Sequence, residues 1–330
     1  METGYKKQND YRKFLQPSVI SRLANMELKA KFVVEGFIAG LHKSPYHGFS
    51  VEFAEHRQYM PGDDLKYLDW KILGKTDRYY IKQFEEETNL KSYLIVDSSR
   101  SMHFSSSNSP LVTKSPFKNL FRKKEEVKIT QQQSVTKLEY ATYVAASLAV
   151  LMNFQKDAAG LVVYDEAIRS FIPPKATRQN LKVILNQLAS IVPSGKTNTA
   201  SALNIVAERI KRRGLVIIFS DLFDDQKAVI NALKHFRHKK NEVIMFQVLD
   251  PLEMSFAIDQ PTLFKDMETS KEMLSQPISV MNSYQEAVKE FIDIYKTACL
   301  SNNIDYVLLS TETPFDTALL EYLNKRKRLH

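Results

Sequence analysis

Apolar and polar positions in this chain follow two periods, and each change of period marks an element. Tyr93, Leu94, Ile95 and Val96 form an unbroken apolar run that stops at Asp97, and a second run over 215–219 stops at Ser220 and Asp221. Short continuous runs rich in β-branched and aromatic residues predict strands buried on both faces. Similar strands are expected at 159–164, 242–248 and 305–309, with a shorter one near 168–172. Between them the apolar spacing changes to three and four. Leu138, Ala141, Val144, Ala145, Leu148 and Met152 predict a helix over 137–155, and further helices are expected at 178–191, 201–212, 226–237, 283–301 and 314–327.

Strands alternating with helices imply an α/β fold, a mostly parallel, doubly wound sheet covered on both faces, over residues 91–330. Residues 1–90 read as a smaller mixed α+β region. A helix is expected from 17 to about 41 and a strand with one wet face over 49–59. Met60, Pro61, Gly62, Asp63 and Asp64 form a turn by their chemistry, followed by a short helix with Leu65, Leu68 and Trp70 and an alternating segment over 78–87. Residues 250–276 are irregular, with room for an extra hairpin. Residues 105–136 turn to Ser, Asn, Pro, Lys and Gln, too little apolar content to join a core, and read as a disordered insertion.

Composition narrows the class. The chain has 330 residues and 44% hydrophobic content, ordinary for a globular protein. Its longest apolar runs fall far short of the roughly 20 residues that cross a bilayer, and residues 1–11 are too polar for a signal peptide, so a cytoplasmic protein is expected. Membrane contact is peripheral if there is any. Cys299 is the single cysteine, which excludes an internal disulfide and a cysteine-based zinc site. The net charge of +8 comes from residues 114–128 and from Lys325, Arg326, Lys327 and Arg328. Charge gathered in a loop and a tail is the pattern of solvated or flexible ends, so no nucleic-acid partner is expected.

Candidate chemistry gathers where the strands end. Asp97, Ser99 and Ser101 are spaced two apart in a turn, so a carboxylate and two hydroxyls can converge on a hard cation such as Mg2+. The same residues often bond only to nearby backbone in turns. The loop Ser194, Gly195, Lys196, Thr197, Asn198, Thr199 presents more hydroxyls just before a helix. Parallel strands would put Asp97 and Asp221 at one C-terminal edge of the sheet, where open α/β folds bind ligands. There Asp97 is expected as a surface ligand that contributes little to the core.

This order of motifs resembles the metal-ion-dependent adhesion site of von Willebrand factor A domains. The resemblance implies that Asp97, Ser99, Ser101, Thr197 and Asp221 surround a divalent cation, Mg2+ or Mn2+, directly or through water. A longer block, from Gly48 through Phe49, Pro61, Gly62, Asp63 and Asp64 to Trp70, continued by Phe84, Glu85, Glu86 and Glu87, resembles the signature of the bacterial "domain of unknown function 58" family. In that family the signature precedes a von Willebrand A-like, Rossmann-like domain. The resemblance implies an adaptor or co-chaperone that couples a MoxR-type AAA+ ATPase to protein clients in complex assembly or stress response. An acidic residue of the partner would complete the coordination of the metal.

Catalytic readings fare less well. There is no phosphate-binding glycine loop, so ATP hydrolysis is not expected. Ser99 stands where a haloacid-dehalogenase phosphatase needs its second Asp. The seven histidines show no ligand spacing, and only His103 lies near the candidate metal loop. No catalytic residue is therefore assigned, and a metal-dependent hydrolase is the alternative.

Overall fold

The computed structural model describes residues 17–21, 23, 25–41, 56–58, 74, 79–82, 90–106, 135–195, 198–211, 213–256, 262–265, 272–275 and 277–329. Its centre is a six-stranded sheet. In chain order the described elements begin with α1 (Pro17–Ile20), α2 (Met26–Leu41), β1 (His56–Gln58), β2 (Tyr80–Lys82), β3 (Lys91–Asp97), α3 (Lys137–Phe154), β4 (Ala158–Tyr164) and β5 (Ile168–Lys175). They continue with α4 (Arg178–Ala189), α5 (Thr199–Arg209), β6 (Leu215–Ser220), α6 (Gln226–His238), β7 (Glu242–Leu249) and α7 (Pro251–Ser255). Last come β8 (Thr262–Lys265), β9 (Glu272–Ser275), α8 (Pro277–Ser301), β10 (Asp305–Ser310) and α9 (Asp316–Leu329).

The sheet order is β10-β7-β6-β3-β4-β5, parallel except for β5. Only residues 165–167 separate β4 from β5, too few for a crossover, so β5 turns back antiparallel. It forms an edge and carries Pro173 and Pro174, which lack the N–H that an inner strand must donate. A Cβ on Gly160 of β4 would lie 2.7 Å from the Ile172 carbonyl, so only glycine allows this close pairing. The chain leaves β3 toward β4 on one side and returns to β6 on the other. That reversal leaves a crevice at the C-terminal ends of β3 and β6.

Side chains alternate across the sheet into two cores. Leu94, Val96, Leu161, Ile217, Phe219 and Phe246 face α2, α3, α4 and α9. Tyr93, Ile95, Val162, Ile218 and Met245 face α5, α6 and α8. Almost every side chain of α3 from Lys137 to Met152 is buried, because α2 covers the side of α3 turned away from the sheet. A helix buried all round is apolar all round. Although α2 precedes residue 90, its Ala30, Val33, Val34 and Phe37 share one core with Leu94.

Two expectations change, and the hairpin for which there was room after residue 250 is present. The single helix from 17 to 41 is two, broken before Met26, where the Asn25 side chain accepts the Glu27 N–H at 2.8 Å and caps α2. The irregular stretch after 250 holds α7 and an antiparallel hairpin, β8 with β9. Of the basic tail, Lys327 and Arg328 are exposed, but Lys325 and Arg326 turn into the fold. Lys325 pairs with Glu242 at 2.8 Å and Asp305 at 3.1 Å, and Arg326 donates to the buried Asp157 at 2.8 Å, beside the Tyr322 hydroxyl at 3.0 Å. Arg326→Ala is expected to lower stability by about 1–3 kcal/mol, the scale of a charge-assisted hydrogen bond lost to a buried acceptor. Denaturant unfolding would show it as a lower midpoint.

Of the segment read as an insertion, Ser105, Ser106, Val135 and Thr136 belong to the folded part. Ser105 and Val135 are buried, and the Ser106 N–H donates to Asp250 at 3.0 Å. Its interior lies outside the described residues, as do the turn at 60–64 and the short helix with Trp70. Of the two alternating segments, the parts described are β1 and β2, which pair antiparallel.

Candidate metal centre

Asp97 ends β3 and Asp221 directly follows β6, so the parallel pairing of these strands brings both carboxylates to the crevice. Each turn is then fixed by its own side chains. Asp97 Oδ1 accepts the Ser99 N–H at 2.9 Å, and the Ser98 hydroxyl donates to the Tyr164 carbonyl at 2.8 Å. The 3-10 turn Arg100–His103 follows and leaves the Ser101 hydroxyl 3.1 Å from that of Ser99. His103 is exposed. On the other strand, the Ser220 hydroxyl donates to Asp97 Oδ2 at 2.7 Å and accepts the Leu222 N–H at 3.0 Å. Leu222 has a left-handed backbone, φ 63°, costly for a bulky residue. Its burial and the Tyr295 hydroxyl on its carbonyl, at 3.1 Å, hold it there.

Asp97 is not the surface ligand that the sequence suggests. It is fully buried, and that burial, followed by the nearby charge of Asp221, pushes its carboxyl up to about 6. The Tyr164 phenol is raised well above its ordinary value by burial and then by Asp97.

The sequence reading also missed the cation of this edge. Lys137, the first residue of α3, is fully buried and donates to Asp221 Oδ2 at 2.8 Å and to Glu253 Oε1 at 2.6 Å. Burial disfavours the ammonium, but the two carboxylates outweigh it and hold its pKa above the ordinary lysine value. Burial raises Glu253 in spite of the contact. One ammonium shared by two carboxylates leaves one of them incompletely compensated. A signal for Lys137 was present, since it sits on the apolar stripe of Ala141, Val144 and Leu148. None marked Glu253.

The third segment docks on the other two. Ser194 donates its N–H to the Ser98 carbonyl at 3.0 Å, and the Ala200 N–H donates to Asp224 at 3.3 Å. Lys196 and Thr197 lie outside the described residues. Thr199 is described, and its buried hydroxyl has no hydrogen-bond partner among the described residues.

The donor set fits a hard divalent cation. Neighbouring oxygens around Mg2+, with bonds of 2.0–2.1 Å in an octahedron, lie about 3 Å apart, which is the spacing of the Ser99 and Ser101 hydroxyls. Among the described residues no three His, Cys, Asp or Glu side chains gather as a metal site, so the hydroxyls would carry much of the coordination.

The family model described as "Protein of unknown function DUF58" matches residues 55–114 and 125–290. The chain belongs to this family. Among curated proteins, this DUF58 chain is similar to uncharacterized proteins of Mycobacterium bovis and Mycobacterium tuberculosis. Each is 24% identical over 258 residues, which cover 77% of this chain and 72% of the relative. Among solved structures it is similar to the conserved hypothetical protein BatB from Bacteroides thetaiotaomicron, with a TM-score of 0.42 and 14% identity over 72% of this chain and 98% of that one. It is also similar to the SpRpn10 VWA domain, with a TM-score of 0.37 and 12% identity over 70% and 95%. The sheet order and the helices on both faces make the DUF58 chain an α/β fold with a mostly parallel, doubly wound sheet. No helix among its described residues is long and apolar enough to cross a membrane.

Proposed function

We infer that this DUF58 protein is a cytoplasmic protein-interaction module that captures an acidic group of a partner through a divalent cation held at the Asp97 edge. The observation that carries the reading is the pair of serine hydroxyls 3.1 Å apart beside two buried carboxylates at the sheet's switch point. Asp97, Ser99, Ser101, Thr197 and Asp221 would hold Mg2+ or Mn2+. When bound, the ion would supply an open position for an anionic oxygen. The residues do the rest. Neutral hydroxyls leave the cation's charge to Asp97 and Asp221 alone, and the Lys137–Glu253 pair adds no net charge. Phe223, 39% exposed, and the exposed His103 give the rim an apolar and a polar contact.

The partner proposed is a MoxR-type AAA+ ATPase or one of its clients, with this chain as the non-catalytic adaptor. Binding of the purified ATPase to the immobilised protein is expected to weaken at least about tenfold, on the scale of one lost charge contact, when EDTA replaces Mg2+. Equal binding in EDTA would move the interface away from the metal edge. Phosphatase, protease or ATPase turnover that disappears in Ser99→Ala would put the hydrolase in place of the adaptor.

A further inference from the structure

We propose that Lys137 is the positioning residue of this site, a built-in cation that compensates Asp221 when no divalent ion is bound and limits how tightly one binds. The proposal rests on reading the Asp97 edge as a divalent-cation site. Asp221 lies beside Asp97 at the sheet edge and shares the Lys137 ammonium with Glu253, and among the described residues Lys137 is the one cation paired with Asp221. Two adjacent buried carboxylates repel each other, and the interior offers little solvent to screen them. The ammonium makes the charge of Asp221 tolerable without a metal. Among the described residues Asp97 has no such cation beside it, and its bonds come from the Ser99 N–H at 2.9 Å and the Ser220 hydroxyl at 2.7 Å.

The geometry keeps the ammonium from withdrawing. Thr136 and Glu139 form a capping box at the start of α3, with the Thr136 N–H donating to Glu139 at 2.9 Å and the Glu139 N–H to Thr136 at 3.1 Å. The Lys137 N–H donates to the Phe104 carbonyl at 3.2 Å. The ammonium lies 4.9 Å from the Phe223 ring centre and 5.9 Å from that of Phe104, so aromatic faces enclose it. A lysine fixed in this way must share Asp221 with any divalent ion at the site. Like charges then oppose each other across one carboxylate. A site so limited releases its ion readily, which suits reversible capture.

The test compares the native chain with Lys137→Met, titrating Mn2+ alone by calorimetry and recording thermal unfolding in EDTA and in saturating Mn2+. Lys137→Met is expected to bind Mn2+ at least about tenfold more tightly, because a positive charge a few ångströms away is gone. Its midpoint should fall well below native in EDTA, and Mn2+ should close most of that gap. A lysine that merely ties α3 to β6 predicts the opposite, an equal deficit with and without metal and no gain in affinity. Either result overturns the proposal. A native chain that binds no Mn2+ while Lys137→Met does would support the proposal and sink the metal-dependent reading of function; if neither binds, both fall. Should Lys137→Met fail to fold, Glu253→Gln keeps the lysine and removes one negative charge. It is expected to weaken Mn2+ binding several-fold, and unchanged affinity would overturn the proposal.

Discussion

Asp221→Ala is expected to cost about 3 kcal/mol of stability, the lower end of the range for breaking a buried ion pair, and to abolish divalent-cation binding at the same time. Lys137 is fully buried and would be left with Glu253 alone. Asp221 also accepts the Phe223 N–H at 3.2 Å, so the turn after β6 would lose its internal bond. Urea unfolding decides the first half, with a lower midpoint at an unchanged slope. A loss below about 1 kcal/mol, the size of an ordinary hydrogen bond, would mean that Glu253 suffices to hold the ammonium. A calorimetric titration with Mn2+ decides the second half, and unchanged affinity would remove Asp221 from the ligand set.

The double substitution Ser99→Ala with Ser101→Ala is expected to show the reverse division. The two hydroxyls lie 3.1 Å apart, and the Ser99 hydroxyl also bonds to the buried Asp97 carboxylate, so deleting both costs Asp97 one ordinary hydrogen bond. The Ser99 N–H keeps its bond to Asp97. Stability should stay within about 1 kcal/mol of native, while Mn2+ affinity falls by about a hundredfold, at least what disturbing a ligand's supporting contacts costs. Affinity that stays within about threefold, roughly 0.7 kcal/mol, would show that these oxygens do not hold the ion.

The sheet was legible because its strands are continuous apolar runs that end in polar residues, as at Val96 and Asp97 or Phe219 and Ser220. That pattern survives any detail of packing. The break before α2 was not legible, since it turns on one Asn25 cap within a stretch of mixed spacing. Of the candidate site, Asp97, Ser99, Ser101 and Asp221 could be read from strand ends, and the structure brings them to one edge. The charge balance could not. Lys137 meets Asp221 and Glu253 across 84 and 116 residues, and no local pattern records a pairing made by the fold. Lys325 and Arg326 show the same limit. As letters they are a basic tail, yet the buried Asp157 and the neighbouring Glu242 decide where they go.

The bond from Ser220 to Asp97 joins residues 123 positions apart, and it closes only when β3 and β6 lie side by side. Contacts this distant carry a large loop-closure entropy and form after local structure. A nascent chain still on the ribosome would display the serines of the first turn long before Asp221 or Glu253 had been synthesised. Because the carboxylates and their lysine come together only in the finished sheet, an incomplete or misfolded copy does not assemble the proposed ion site, and under the proposed function it could not compete with mature molecules for a partner.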